Sequence, residues 1–140
     1  MSVDGHAIER IGQIKLLGVQ IDEKLNFTSH ISELCTKASG KEGVLVRLPN
    51  LIPCNAKLSL YKSSILLHQT YCHLVWHFCN ASDRRKVVRI QERSLRAVYE
   101  TRSASYQELL DHAKLPTLYN RRLQDIATLM FKVISTVSYP

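Results

Sequence analysis

The longest apolar stretch of the chain lies between residues 58 and 78, and a basic amphipathic segment follows it directly. Apolar side chains in this stretch cover more than half of the circumference of an ideal helix, which is typical of a central, buried helix. It contains the single tryptophan, Trp76. Asn55 is the predicted N-cap, and the length of the stretch predicts a bend or break between His68 and Tyr71. We therefore expect a helical core organised around this stretch.

Residues 82–99 predict a second helix, whose two faces differ in chemistry. The first face carries apolar or small residues, namely Val87, Ile90, Ser94, Ala97 and Val98, with Leu95 at its margin. The opposite face carries the arginines Arg85, Arg89, Arg93 and Arg96. Their spacings of four, four and three residues place neighbours about one turn apart, so the four side chains form a stripe.

A helix is also expected upstream, where apolar residues recur at helical spacing between His30 and Ala38. Thr28 is the predicted cap of this helix. Gly40 and Gly43 weaken its centre, because glycine has a low helix propensity. The pattern therefore predicts a helix that is least regular near the two glycines.

Two signals predict the helices of the C-terminal part. Ser105 and Glu108 have the spacing of a capping box at the start of a short helix. Residues 118–135 then predict a last helix. Its expected core face comprises Leu123, Ile126, Met130, Val133 and Ile134. Arg122 lies at the edge of this face, where a buried anchor and a plain surface arginine are both open readings.

The N-terminal 25 residues contain the expected β-structure. Alternation predicts a strand from Lys15 to Ile21, with Ala7 to Ile11 as a hairpin partner. A two-stranded hairpin is marginal alone, so it must pack on the helices or derive from a larger sheet. The predicted fold is therefore mainly α, a bundle of about five helices with a short N-terminal β-hairpin.

Charge is concentrated in one segment of this 140-residue chain, whose length fits a single domain. The net charge is +7, and residues 84–102 hold seven basic and two acidic residues, which is +5. Clustered arginine favours a polyanionic partner, because each guanidinium can donate two hydrogen bonds to one phosphate. A solvated helix face, partly neutralised by pairs of Arg89 or Arg96 with Glu92 and of Arg96 with Glu100, is the alternative.

Nothing in the sequence predicts a metal, a cofactor or a catalytic motif. The candidate ligands His68, Cys72, His73, His77 and Cys79 form two pairs that would point about 140° apart on one helix. The four cysteines include no CxxC pair, and the N-terminus has no apolar leader, which favours reduced thiols in an intracellular protein. Polar residues interrupt the apolar stretch, so no membrane partner is expected.

Eight blocks of the sequence, in one order, resemble a known family. They are KLLGVQID (15–22), L-N-F-x-x-H-I (25–31), A-K-L-S-L-Y-K-S-S-I-L (56–66), Y-C-H-L-V-W-H-F-C (71–79), I-Q-E-R-S-L-R-A-V-Y (90–99), S-Y-Q-E-L-L (105–110), L-P-T-L (115–118) and R-R-L-x-D-I (121–126). Together they resemble the C-terminal region of reverse transcriptases from non-LTR retrotransposons of the LINE and jockey type. The similarity spans about residues 11 to 135.

The resemblance implies that residues 1–25 correspond to the end of the polymerase palm and residues 26–140 to a helical, thumb-like domain. In that family the thumb holds the template–primer duplex. The catalytic aspartates of the Y-x-D-D motif are not in this sequence, so the chain is not expected to polymerise by itself. The expected duplex contacts are the stripe residues Arg85, Arg89, Arg93 and Arg96, assisted by Arg84, Lys86 and Arg102. A protein-interaction or dimerisation module, and a remnant without activity, are the alternatives.

Overall fold

The computed structural model describes residues 2–137, in which two short β-hairpins precede five helices. This order confirms the predicted mainly α fold with an N-terminal hairpin. The helices are α1 (Thr28–Val46), α2 (Cys54–Leu60, continuing through Tyr61–Leu66 and Leu67–Thr70), α3 (Ala81–Tyr99), α4 (Tyr106–Ala113) and α5 (Leu118–Val137). The middle part of α2 has the wider π-helical geometry.

The N-terminal region differs from the predicted single strand between Lys15 and Ile21. The chain reverses at Leu17 and Gly18, which adopt φ angles of 48° and 81°. Two consecutive left-handed residues make the two-residue turn that matches the twist of a hairpin, and glycine adopts that conformation without steric penalty. The resulting antiparallel strands are β3 (Gln13–Leu16) and β4 (Val19–Asp22). The expected partner from Ala7 to Ile11 is wrong, because β2 (His6–Ala7) pairs with β1 (Ser2–Val3).

The β3–β4 hairpin packs on the helices through its second strand. Val19 is buried, and Gln20 donates a hydrogen bond of 2.9 Å to Glu33 of α1. The hydroxyl of Tyr71 donates to the carbonyl oxygen of Leu17 at 2.6 Å. These contacts fix the hairpin against α1 and the end of α2, as the marginal stability of an isolated hairpin requires.

The start of α1 is organised by Asp22, and not by the predicted cap Thr28. The cap position is Phe27, which has a left-handed conformation and no side-chain cap. The carboxylate of Asp22 accepts hydrogen bonds from the backbone N–H groups of Lys24, Asn26 and Phe27, at 3.0, 3.1 and 2.8 Å. These bonds, foremost that from Asn26, hold the pKa of Asp22 below its usual value.

Helix α1 runs without a break through both glycines that were expected to weaken it. A Cβ atom built at Gly40 or Gly43 would meet nothing within 4 Å. The glycines therefore serve no close approach to another element. The helix persists because its other face is buried, with Ile31, Ala38 and Leu45 in the core.

Helix α2 ends at Thr70, within the interval predicted for a break. Tyr71 is extended and Cys72 has φ 49°, a conformation that an α-helix cannot include. Trp76 therefore lies beyond the helix, in a series of turns, although it is fully buried as expected. Its indole N–H donates to the carbonyl oxygen of Tyr71 at 3.2 Å. The predicted N-cap Asn55 is wrong by two residues, because the cap position is Pro53.

Helix α3 crosses the core beside α1 and buries its predicted apolar face. Asn80 caps it by accepting a 2.8 Å hydrogen bond from the N–H of Asp83. Val87, Ile90 and Ser94 are buried, and Leu95, expected at the margin, is fully buried too. The capping box of Ser105 and Glu108 at α4 is confirmed.

The predicted core face of α5 is wrong. Within α5 only Leu118 and Arg122 are buried, whereas Leu123, Met130, Val133 and Ile134 are between 42% and 62% exposed. The helix is attached to the core by its first turns, and Asp125 forms a 2.8 Å pair with His73. The apolar residues of α5 therefore form a helix face that the described residues leave largely exposed.

Candidate nucleic-acid interface

The N-terminal half of the arginine stripe is open to solvent. Arg85 and Arg89 are exposed on α3, one turn apart, and neither forms an ion pair with any residue between 2 and 137. Their separation along the helix axis is about 6 Å, from 1.5 Å per residue. Because the other side of α3 is buried, both guanidinium groups are held on one surface of a rigid element.

The third arginine of the stripe is shared between solvent and a carboxylate. Nη2 of Arg93 lies 2.8 Å from Oε2 of Glu42 on α1, a partner that was not among the pairings considered for the stripe. The Arg93 side chain is still 59% exposed, whereas that of Glu42 is only 10% exposed. Arg93 can therefore contact a partner from outside, but with part of its charge compensated by Glu42.

The fourth arginine is held more firmly. Arg96 donates to Glu92 at 2.7 Å, which is one of the two intrahelical pairings considered for it, and to the carbonyl oxygen of Arg102 at 2.6 Å. The other pairing, with Glu100, does not form. Glu100 binds Lys57 instead, and this hydrogen bond lowers the pKa of Glu100. The guanidinium of Arg96 is therefore used mainly in hydrogen bonds at the C-terminal end of α3, and it is less available to a partner.

The three assisting residues have different environments. Lys86 forms a 2.8 Å pair with the buried Asp83, and this hydrogen bond raises the pKa of Lys86. Burial works against ionisation of Asp83, but hydrogen bonds from Lys86 and Asn80 keep its pKa below the usual value. Arg84 is half-buried at the start of α3, and Arg102 is exposed just after it. Lys86 is therefore a structural partner of Asp83 as well as a surface cation.

The C-terminal half of the stripe borders a cleft of about 520 Å³ between α1 and α3. Arg93, Arg96 and Arg102 are among the residues that line it. Glu42 and Glu100 lie in the same cleft, so its charge is mixed. The surface most suited to a phosphate backbone is therefore formed by Arg85 and Arg89, neither of which makes an ion pair among the described residues, with Arg93 beside them. Such a surface can position a strand by its phosphates without reading bases.

The part of the chain from residue 2 to 137 contains no group of three or more His, Cys, Asp or Glu side chains arranged to hold a metal ion. The cysteines are free thiols, of which Cys79 is buried and Cys54 is exposed. The pKa of the Cys79 thiol is raised, chiefly by burial, which disfavours the reactive thiolate. Across the same residues, no helix has the length and apolar character needed to cross a membrane.

Sequence reasoning missed one partner of the stripe and left another residue undecided. Glu42 lies 51 residues before Arg93, and no local spacing signals their contact. Arg122, left open as an anchor or a surface residue, is buried with its guanidinium 5.3 Å from the centroid of the Trp76 ring. Its position at the edge of an apolar face was the available signal.

Comparison with known proteins assigns nothing further to this surface. No protein-family model, curated protein or solved structure matches the chain. The resemblance to reverse transcriptases therefore stays a prediction from the eight sequence blocks, and the case for binding rests on the placement of the charged side chains.

Proposed function

We propose that the chain is a non-catalytic, thumb-like module of the non-LTR reverse-transcriptase type, which binds the backbone of a template–primer duplex through α3. The observation that carries this proposal is the exposure of Arg85 and Arg89, one turn apart and without an ion pair among the described residues. The family resemblance supports it, since the corresponding region of those enzymes holds the duplex. The sequence lacks the Y-x-D-D aspartates, so we propose no polymerase activity for this chain alone.

The proposed contact is electrostatic and independent of base sequence. Arg85 and Arg89 each donate to phosphate oxygens of one strand, and Arg93 joins them when its contact with Glu42 is exchanged for a phosphate. Neutralising phosphates releases condensed counterions, so affinity falls as salt rises. Since α3 is packed into the core along its other face, the arginines need no rearrangement of the helix to meet the duplex.

Fluorescence anisotropy with a labelled RNA–DNA hybrid and a DNA duplex, over a series of salt concentrations, tests this proposal. We expect the double variant Arg85→Gln/Arg89→Gln to bind at least roughly tenfold more weakly at low salt, because two charge-assisted contacts are lost. The slope of log affinity against log salt should fall by about 2, one for each phosphate contact.

The matched control is Lys24→Gln/Lys132→Gln, which removes two exposed positive charges outside α3. It should change affinity far less than the α3 variant does. Equal weakening by both variants would mean that net charge, and not the α3 surface, attracts the duplex. Absence of duplex binding by the unmodified chain would overturn the proposal.

A second candidate function is self-association through the apolar face of α5. The observation that favours it is the exposure of Met130 and Val133 on that face, at 59% and 53%. Sedimentation velocity would then show a dimer that persists at high salt. Met130→Glu should abolish it, whereas Phe131→Glu, about 100° further round the helix, should not. A monomer at all concentrations removes this candidate.

A further inference from the structure

A pocket of about 330 Å³ lies where the first turns of α3 and α5 meet. Three arginines line it, Arg84, Arg85 and Arg122, and none of its lining residues in the described chain is acidic. Ala81 and Leu118, the first residues of α3 and α5, line it as well. Both helix starts already have side-chain acceptors, Asn80 for the N–H of Asp83 and Thr117 for the N–H of Asn120, so the guanidinium groups are the main source of positive charge in the pocket.

Arg122 is the residue that makes this pocket unusual. It is only 3% exposed, and its Nε atom is buried without a hydrogen-bond partner. No carboxylate between residues 2 and 137 lies within ion-pair distance of it. Burial foremost, and the nearby charge of Arg84, lower its pKa.

The Trp76 ring beneath Arg122 offers only partial compensation. A cation 5.3 Å from an aromatic centroid is attracted to the ring, but the ring supplies no hydrogen-bond acceptor in the plane of the guanidinium. Buried charges in proteins are normally paired. The unfilled requirement at Arg122 is therefore an anion that approaches from the side of Arg84 and Arg85.

We infer that this pocket binds the phosphate monoester of a nucleotide or of a nucleic-acid strand end. A monoester carries close to two negative charges at neutral pH, which suits three guanidinium groups better than a carboxylate or a backbone diester does. The rest of the lining includes Val88, Tyr106 and Tyr119, which offer apolar and aromatic surface to the sugar or base that carries the phosphate. Occupation of the pocket does not require that the outer surface of α3 bind a duplex.

Trp76 provides a direct readout, because it is the only tryptophan and its ring contacts Arg122. Inorganic phosphate is titrated into the full chain at constant ionic strength, with chloride as the replaced anion, and tryptophan emission is recorded. We expect a saturable change. Arg84→Gln should raise the apparent Kd roughly tenfold, since one charge-assisted contact is lost. Lys24→Gln, which removes an exposed positive charge outside both the pocket and α3, should leave it within about twofold, because a charge this exposed is largely screened.

Arg122→Met separates ligand binding from a structural role. We expect this variant to lose the phosphate response while it keeps a cooperative thermal unfolding transition in phosphate-free buffer. If Arg122→Met and Arg84→Gln both bind phosphate as the unmodified chain does, the inference is wrong. The same holds if emission shows no saturable change.

Four further probes identify the source of the phosphate. They are adenosine 5′-monophosphate, a duplex with 5′-phosphates, the same duplex with 5′-hydroxyls, and a phosphoserine peptide. Preference for the 5′-phosphorylated duplex, lost in Arg84→Gln and kept in Lys24→Gln, assigns the pocket to a strand end. Tight binding of the mononucleotide without that preference assigns it to a free nucleotide. Binding of the phosphopeptide alone overturns the inference, and phosphate binding without any duplex binding overturns only the proposed function.

Discussion

The guanidinium of Arg93 and the carboxylate of Glu42 lie 2.8 Å apart and join the arginine face of α3 to α1. This contact decides how much of the stripe is available to a partner. Arg85 and Arg89, toward the start of α3, have no such carboxylate, whereas Arg96 is paired with Glu92. The positive surface therefore weakens along α3, from its N-terminal to its C-terminal half.

The Glu42→Gln variant should raise the affinity for a duplex several-fold at low salt. The amide keeps the volume of Glu42 but removes the charge that competes with phosphate for Arg93. The free energy of unfolding should fall by only about 0.5 kcal/mol, because the Arg93 side chain is more than half exposed and exposed pairs stabilise little. Anisotropy titrations and urea denaturation measure the two effects.

Glu33→Gln is the control for this change. Glu33 also lies on α1, and its replacement by Gln changes the net charge by the same amount. The ion-pair partners of Glu33, however, are Lys15 and Lys37. Nine residues separate it from Glu42, which places the two side chains on opposite faces of the helix. An equal rise in affinity for both variants would contradict a specific release of Arg93.

Periodic patterns within single elements predicted much of the fold. The buried face of α3 with Val87 and Ile90, the capping box at Ser105 and the break after His68 all depend on neighbours in sequence, and the structure confirms them. The turn at Leu17 was missed, because leucine rarely adopts the left-handed backbone conformation that it has here. Gly18 was the one residue in the sequence that indicated a turn at this point.

The candidate surface was less predictable, because it depends on contacts between elements. The stripe on α3 follows from spacing alone, but the pairing of Arg93 requires the packing of α1 against α3. The exposure of Met130 shows that sequence patterns are also limited in predicting burial. An apolar helix face indicates that the face is covered, but not whether the same chain or another molecule covers it. Arg122 could be placed at an edge, but not above Trp76.

The Gly40→Ala and Gly43→Ala variants should each stabilise the chain, by about 0.5–1 kcal/mol. Both positions are inside α1, and an added Cβ would meet no atom within 4 Å at either. Alanine reduces the conformational entropy of the unfolded chain and introduces no clash. Urea denaturation of the single variants measures the gain, and the double variant should show the sum.

Gly18→Ala is the opposite case and serves as the contrast. Gly18 has a φ angle of 81°, where alanine is strained by about 1–2 kcal/mol. Its nearest neighbour is the Tyr71 ring at 3.7 Å, an ordinary contact, so the strain and not a clash dominates. Stabilisation by Gly18→Ala, or destabilisation by Gly40→Ala or Gly43→Ala, would contradict the backbone geometry.

Stability should fall as the pH is lowered from 7.5 to 5.5, because the folded chain lowers the pKa of several imidazoles. Burial is the main cause for each, and the residues are His30, His68, His73 and His77. A lowered folded-state pKa means that the unfolded chain binds protons more readily below about pH 6.5. The stabilisation is thus complete above that value and is lost as the pH falls toward the folded-state pKa. Carboxylates whose pKa is lowered affect stability only at lower pH. The change in stability between pH 7.5 and 5.5 is therefore due to histidine.

His30 is the residue on which this pH dependence can be tested most directly. It is buried, its Nδ1 accepts a 3.4 Å hydrogen bond from the N–H of Gln20, and its Nε2 has no partner among the described residues. Protonation would remove the acceptor and place a charge beside Trp76. In urea denaturation at both pH values, His30→Gln should therefore show a smaller difference in the free energy of unfolding than the unmodified chain. His112→Gln, at an exposed position on α4, should keep the full difference, and a reduction as large as that of His30→Gln would exclude burial as the cause.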